Sequence, residues 1–336
     1  MFAYNGGNVV VISLHRLGDT VFTIPAVQQI INYYGRRITI VCFPESIPIY
    51  NLAFNDINFC EFKQEDFYFG KRIATIGSKK KLKTLRPSLI FDLTGSMISA
   101  SLIYNIRAKE IIGTNSIQFR SIYDQFATFR LKPQLVDIYL DAISSVIQIP
   151  SGIRSKKQPI ACHPDRKILI HPFAGWKEKE WNLKKFIELA EKIKNDYQVS
   201  LIMPRGFLSS DVLGEIANIQ IEIIQTKSVT ELIRNIEECS IFIGNDSGPV
   251  NIANFIGKPT LTLYGSTNPE YTATNLEHQI YSQKILNCSS KKNKKLCIVN
   301  APVDKCPGIQ CMQFLTVEEV YNNVINLARK YCKKNL

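Results

Sequence analysis

Short β-branched runs recur along the chain, each followed by apolar residues spaced three and four apart, and this alternation predicts strand, turn, helix and strand again over most of its length. The run Asn8-Val-Val-Val-Ile-Ser-Leu14 shows no polar alternation, which suits a strand buried on both faces of a parallel sheet. Leu17-Gly18-Asp19 breaks the run, and Val21, Ile24, Val27, Gln28 and Ile31 then repeat at helical spacing, with Pro25 tolerable in the early turns. Further strands are predicted over 37–43, 88–93 and 110–113, with helical patterns between them.

Between 150 and 167 the pattern lapses into a polar, basic stretch with Pro150, Pro159 and Pro164, the best candidate for a linker. It then restarts. A strand over 167–171 precedes a helix whose apolar face is Leu183, Phe186, Ile187, Ala190 and Ile193, with Asn182 as N-cap. Strands over 199–203, 221–224, 240–243 and 260–264 alternate with helices near 212–217, 229–236 and 250–256. The expectation is an α/β chain of two Rossmann-like, doubly wound domains, residues 1–155 and 156–315. A closing helix within 316–336 starts with the capping box Thr316-Val-Glu-Glu319. Its apolar side needs a surface to pack on, and the first domain is one candidate.

Composition narrows the class without choosing a function. With 336 residues, 45% hydrophobic and 21% charged, the chain fits two globular domains and excludes a disordered or collagen-like one. Its apolar runs are strand-length and its first residues lack a signal-peptide pattern, so a cytoplasmic location is expected. The formal charge of +12 favours anionic partners. The basic clusters (79–83, 154–157, 291–295, 330–334) are scattered and carry no nucleic-acid module, so nucleic acid is not expected, while peripheral contact with an anionic membrane face stays open. Nine cysteines, an odd number, argue against a full disulfide framework. Cys288, Cys297, Cys306 and Cys311 cluster but lack a C-x2-C knuckle, so structural thiols rank above a zinc site, and no metal or cofactor is expected.

Ligands of open α/β sheets bind beyond the carboxyl ends of the strands, which directs attention to three loops. In His15-Arg16-Leu-Gly-Asp19, the aspartate at a helix start is either an N-cap or a general base kept ionised by the helix dipole. In 171–181, Gly175 permits close backbone approach and Lys177 and Lys179 can neutralise phosphate, whereas His171 reads as a packing residue. In Gly244-Asn-Asp-Ser-Gly-Pro249, Gly248 as cap puts Pro249 at the favoured first helical position, and the free amides there suit an anion. No G-x-G-x-x-G follows the first strand and no P-loop occurs, which disfavours a dinucleotide dehydrogenase or NTPase. There is no Asp-x-Asp to hold a metal on a sugar nucleotide.

These blocks resemble the heptosyltransferase-like glycosyltransferases of family 9. The residues that carry the likeness are Val9 to Ala26, His171-Pro-Phe-Ala-Gly175 through Lys179-Glu-Trp181, Phe242-Ile-Gly-Asn-Asp-Ser-Gly-Pro249, Gly257-Lys-Pro-Thr260, Tyr264-Gly-Ser-Thr-Asn-Pro269, and Cys311-Met312 before the last helix. The resemblance implies a GT-B fold with two Rossmann-like domains facing a central cleft, the acceptor on the first and the donor on the second. It implies inverting, metal-independent transfer of a sugar, with heptose from an ADP-linked donor favoured, to a lipopolysaccharide-core or other surface-glycan acceptor. Asp19 matches the catalytic base, Lys179 the lysine on the donor diphosphate, and Asp246, Ser247 and Gly248 the donor-binding turn. Gly175 and Asn251, the latter where a histidine is common, fall on the donor side, and His15 and Arg16 on the acceptor side. The alternative is an inactive nucleotide- or glycan-binding relative of the same fold.

Overall fold

The computed structural model describes residues 7–35, 37–70, 72–114, 117–127, 134–150, 153, 166–207, 212, 214, 216, 220–273, 278–286 and 308–332. The chain divides into two compact units, Met1–Ser155 and Lys156–Leu336. Most of the expected linker, 150–167, lies outside the described residues.

In the first unit the strands are β1 (Asn8–Ser13), β2 (Ile38–Cys42), β3 (Asn58–Glu61), β6 (Pro87–Asp92), β7 (Glu110–Gly113) and β8 (Gln125–Phe126). They form one parallel sheet in the order β3-β2-β1-β6-β7-β8. The uninterrupted apolar run at 9–12 becomes the central strand, buried on both faces as its composition demands. Helix α1 (Leu17–Tyr34) runs through Pro25 without stopping, in place of the early-turn position expected of a tolerated proline. The proline lacks an N–H, so the Val21 carbonyl goes without its helical partner, and Pro25 itself is buried. Helices α2 (Ile47–Asn51), α3 (Ile76–Thr84), α4 (Met97–Ile103) and α5 (Leu135–Ile143) complete the unit, with a two-strand ribbon of β4 (Phe67–Tyr68) and β5 (Ile73–Ala74).

The second unit repeats the plan with β9 (Lys167–His171), β10 (Gln198–Pro204), β11 (Glu222–Thr226), β12 (Ile241–Asn245), β13 (Thr260–Tyr264) and β14 (Gln279–Gln283), all parallel, in the order β11-β10-β9-β12-β13-β14. Helix α6 (Leu183–Ile193) begins at Asn182, whose side chain accepts from the Lys184 amide at 2.8 Å. Residues 212, 214 and 216 are helical where a helix was expected. The remaining helices are α7 (Val229–Glu238), α8 (Gly248–Ile256), α9 (Pro269–Thr272), α10 (Gln310–Gln313) and α11 (Val317–Tyr331). The Thr316–Glu319 capping box forms in both directions. The apolar side of α11 finds its surface in its own unit, against α6, β13 and β14, where Val320, Val324 and Leu327 join the core around Trp181 and Phe186.

In each sheet the first and fourth strands in sequence lie side by side and the chain winds outward from them in opposite directions. The helices at that reversal diverge and leave the strand ends open, which makes it the default ligand position of an open α/β sheet. The loops that follow β1 and β6, and those that follow β9 and β12, carry the candidate residues. Two doubly wound parallel sheets of this order agree with the two Rossmann-like domains expected from the sequence. No helix among the described residues is long and apolar enough to cross a membrane.

Candidate functional site

At the reversal point of the first unit, the ends of β1 and β6 are tied together. The Leu14 amide donates to Thr94 Oγ1 at 2.9 Å, and the Leu93 amide to the Ile12 carbonyl at 3.0 Å. His15 Nε2 lies 3.2 Å from the Leu93 carbonyl; because a carbonyl only accepts, this nitrogen carries the proton. Burial holds the His15 pKa below its ordinary value, opposed by the nearby Asp19 charge, so the ring is neutral near pH 7. Its edge packs against Tyr139 of α5.

Arg16, not Asp19, is the N-cap of α1. Asp19 is the third helical residue, half-buried in the first turn. Thr20 fixes that turn through its amide and hydroxyl, which reach the Arg16 carbonyl at 2.9 and 3.1 Å. Below it, Thr23 Oγ1 meets Tyr50 Oη at 2.8 Å, and Tyr50 donates to Ser13 Oγ at 2.6 Å, locking α1 to β1 and α2. Beneath the β6 loop, buried Asp92 accepts from the Thr94 and Gly95 amides at 2.9 and 3.2 Å and from Tyr123 Oη at 2.8 Å. Its burial raises its pKa, against those hydrogen bonds, which marks it as a strut of the loop.

In the second unit the loop after β9 makes a short 3-10 turn, Lys177–Lys179. Its last residue, Lys179, places Nζ 2.8 Å from Asp246 Oδ2 and 4.7 Å from the centre of the Trp176 ring. Asp246 is only 3% exposed, and the same carboxylate also accepts from Thr267 Oγ1 at 2.7 Å and Thr272 Oγ1 at 3.3 Å. One ammonium and two hydroxyls thus occupy the Asp246 carboxylate. Asn245 sets the loop itself: its Nδ2 donates to the Pro172 carbonyl at 2.8 Å and its Oδ1 accepts from the Trp181 amide at 3.0 Å. Trp181 is buried and donates through Nε1 to the Leu315 carbonyl at 2.9 Å.

Helix α8 begins one residue earlier than its proline implied. Ser247 is the N-cap and Gly248 and Pro249 are the first two helical residues. Ser247 Oγ makes no capping bond, and it and Ser266 Oγ are buried without partners among the described residues. An unpartnered hydroxyl at a helix N-terminus, next in sequence to the residue that holds an ammonium, makes a site ready for an anion. Asn251 lies one turn further, buried, while Gly175 is exposed on the β9 loop. Gly244 lets β12 approach β9: a Cβ there would fall 2.9 Å from the His171 carbonyl. His171 is buried, with its pKa held down to about 4 by that burial, so it is an uncharged packing residue. Of the late cysteines, Cys288, Cys297 and Cys306 lie outside the described residues, and Cys311 is buried beside Met312.

The structure thus brings together Lys179, Asp246, Ser247 and Gly248 at one reversal point, and His15, Arg16 and Asp19 at the other. Sequence reasoning missed Asn245, Thr267 and Thr272 as partners of this arrangement. Thr267 sits in the string Tyr264-Gly-Ser-Thr-Asn-Pro269, and its role is visible only once β13 lies beside β12.

Residues 78–303 match the family described as glycosyltransferase family 9 (heptosyltransferase). Lipopolysaccharide heptosyltransferase 1 of Campylobacter coli is 30% identical over 145 residues, which span 40% of this chain and 42% of that protein. A lipooligosaccharide heptosyltransferase 2 of Campylobacter jejuni is 22% identical over 336 aligned positions, 93% of this chain and 96% of that one. Among solved structures, the ADP-heptose lps heptosyltransferase II of E. coli superimposes with a TM-score of 0.70 at 15% identity, over 97% of this chain and 100% of that one.

Proposed function

Because the chain belongs to glycosyltransferase family 9 (heptosyltransferase), we propose that it is an inverting, metal-independent glycosyltransferase that moves a heptose from an ADP-linked donor to a lipopolysaccharide-core or related surface-glycan acceptor. The observation that carries this reading is the Lys179–Asp246 pair next to the unpartnered hydroxyl of Ser247, the N-cap of α8. Such a group of donors suits a diphosphate. The full-length likeness to proteins named as heptosyltransferases supports the sugar, and the name of the E. coli structure supports the nucleotide. In this reading residues 1–155 handle the acceptor and 156–315 the donor.

In the reaction, an acceptor hydroxyl oxygen attacks the anomeric carbon from the face opposite the leaving group. Asp19 takes the hydroxyl proton. The bond from the anomeric carbon to the phosphate oxygen breaks, and its electron pair leaves with ADP. Lys179 neutralises part of the charge that develops on the diphosphate, and the amides following Ser247 contribute fixed dipoles. Asp246 and its two threonines position Lys179 rather than touch the reacting atoms. His15, neutral and fixed by the Leu93 carbonyl, offers its other ring nitrogen as an acceptor of hydrogen bonds from the glycan. The reaction belongs in the cytoplasm, at a membrane that carries the acceptor.

Calorimetric titration with ADP, UDP, GDP, CMP and NAD, each with and without EDTA, is the first test. It is followed by transfer from ADP-heptose to lipopolysaccharide that lacks its heptoses. Selective, EDTA-insensitive binding of ADP together with transfer is the expected result. Preference for UDP or GDP would move the donor to another sugar, and ADP binding with no transfer to any acceptor would make the chain an inactive relative.

A further inference from the structure

The first unit carries a surface that its own fold does not explain. In the β4–β5 ribbon, Phe67 pairs with Ala74 and Tyr68 with Ile73. Phe67 and Ala74 face inward and are buried, so the Tyr68–Ile73 pair faces outward, with exposures of 57% and 42%. At the ribbon's tip, Phe69 is 77% exposed at a φ of 51°. A bulky residue in the left-handed region carries a conformational cost, and here that cost is offset by no burial. Ile76 in the next helix, α3, is 74% exposed.

The charges within the ribbon and α3 share one sign, with half-buried Asp66 at their edge, its carboxylate accepting from the Lys63 amide at 2.7 Å. Between Phe67 and Phe91 the sequence has seven Lys and Arg and no Asp or Glu. On α3, buried Ser78 and Leu82 face inward, so Ile76, Lys80 and Lys83, spaced four and three apart, share the outward face. The ribbon, α3 and α4 form one surface. The Thr75 amide donates to the Asp66 carbonyl at 3.1 Å, the Ala74 amide to Ser101 Oγ at 2.8 Å, and Lys79 Nζ lies 5.5 Å from the centre of the exposed Tyr104 ring. The nearest exposed acid in the flanking chain, Glu65, lies 3.9 Å from Lys63.

We propose that this face, centred on Phe69, Ile76, Lys80 and Lys83, docks the protein on an anionic phospholipid bilayer. A polyanion such as nucleic acid would use the lysines and leave Phe69 and Ile76 in water, and an apolar protein groove would not need an unbroken run of positive charge. A bilayer uses both. Short apolar side chains enter the headgroup boundary while flanking lysines reach the phosphates. The proposal is independent of the transferred sugar and of the donor site, and needs only the surface.

The test is flotation of the full chain with vesicles of phosphatidylcholine alone or with about 30 mol% phosphatidylglycerol, over a series of salt concentrations. Binding to the anionic vesicles at low salt and its loss at high salt are expected. Phe69→Asn with Ile76→Ser is expected to weaken binding about tenfold, and Lys80→Glu with Lys83→Glu to remove the preference for phosphatidylglycerol. These positions are exposed, Asn tolerates the left-handed backbone, and circular dichroism with ADP titration checks that both variants remain folded. Absence of wild-type binding to anionic vesicles overturns the proposal. So does undiminished binding by either variant, and so does duplex DNA that binds as tightly as the vesicles with no dependence on Phe69 and Ile76. None of these outcomes alters the expected ADP binding, so the two readings fail separately.

Discussion

Lys179 Nζ lies 2.8 Å from Asp246 Oδ2, and the two side chains belong to loops that follow different strands, β9 and β12. The pair therefore exists only when those strands are neighbours. Removing one partner strands the other: Lys179→Met leaves a buried carboxylate with two hydroxyls and no cation, which typically costs about 3–5 kcal/mol. Asp246→Asn with Lys179→Met is expected to cost less than Lys179→Met alone. Both tryptophans, Trp176 and Trp181, lie in the second unit, so their fluorescence during urea unfolding reads this unit alone. Equal losses in the single and double variants would show that the pair does not couple.

Asp19 offers a cleaner separation of binding from chemistry. Asp19→Asn keeps the volume and removes the base, so transfer is expected to fall about 10²–10⁴-fold while ADP affinity stays within a few-fold. Lys179→Ala is expected to do the converse, weakening ADP binding first. A transfer rate within a few-fold of wild type for Asp19→Asn would rule that residue out as the base.

His171 makes stability depend on pH with a definite sign. Its folded pKa is held down to about 4 by burial, against an ordinary 6.5. Between those values the unfolded chain binds a proton that the native unit does not. Stability is thus full above about 6.5, falls as the pH drops toward about 4, and levels off below, a loss of about 3 kcal/mol at roughly 1.4 kcal/mol per pH unit. His171→Leu is expected to flatten that part of the tryptophan-monitored unfolding profile, and an unchanged slope would assign it to other groups.

Lys258 is 2% exposed, and its Nζ donates to the carbonyls of Glu237 and Cys239, at 2.6 and 2.7 Å. It closes the C-terminus of α7 from outside the helix, where a cation also meets the favourable end of the dipole. Lys258→Met keeps the stem and removes both of these bonds, at about 1–3 kcal/mol each. A lowered midpoint for the second unit with unchanged ADP affinity in the folded protein is expected, measured by thermal unfolding and calorimetry.

The elements that periodicity revealed best were those buried on both faces. β1, β9 and β13 read directly from continuous apolar runs, and 167–171 and 260–264 match the observed bounds. Edge strands β3 and β14 were not legible, because Asn58–Glu61 and Gln279–Gln283 mix polar residues into short segments whose partners supply the missing signal. The cap of α1 fell on Arg16 although Asp19 has the better capping side chain, since the chain turns into the helix three residues sooner. At the candidate site, the types that bear charge were legible, but Thr267, Thr272 and Asn245 were not. A hydroxyl that holds a carboxylate from 21 residues away has no local pattern.

The two bonds of Asn245 give the β9 loop an unusual freedom. One amide grips Pro172 and Trp181 together, so the eight residues between them form an arch whose feet are fixed to a single side chain. Within the arch Lys179 is held by Asp246 and the Ala174 amide by Glu180, which leaves the exposed stretch near Gly175 as the part whose length can change. A lineage could lengthen the span near Gly175, and so reshape whatever rests against it, while inheriting the same footing.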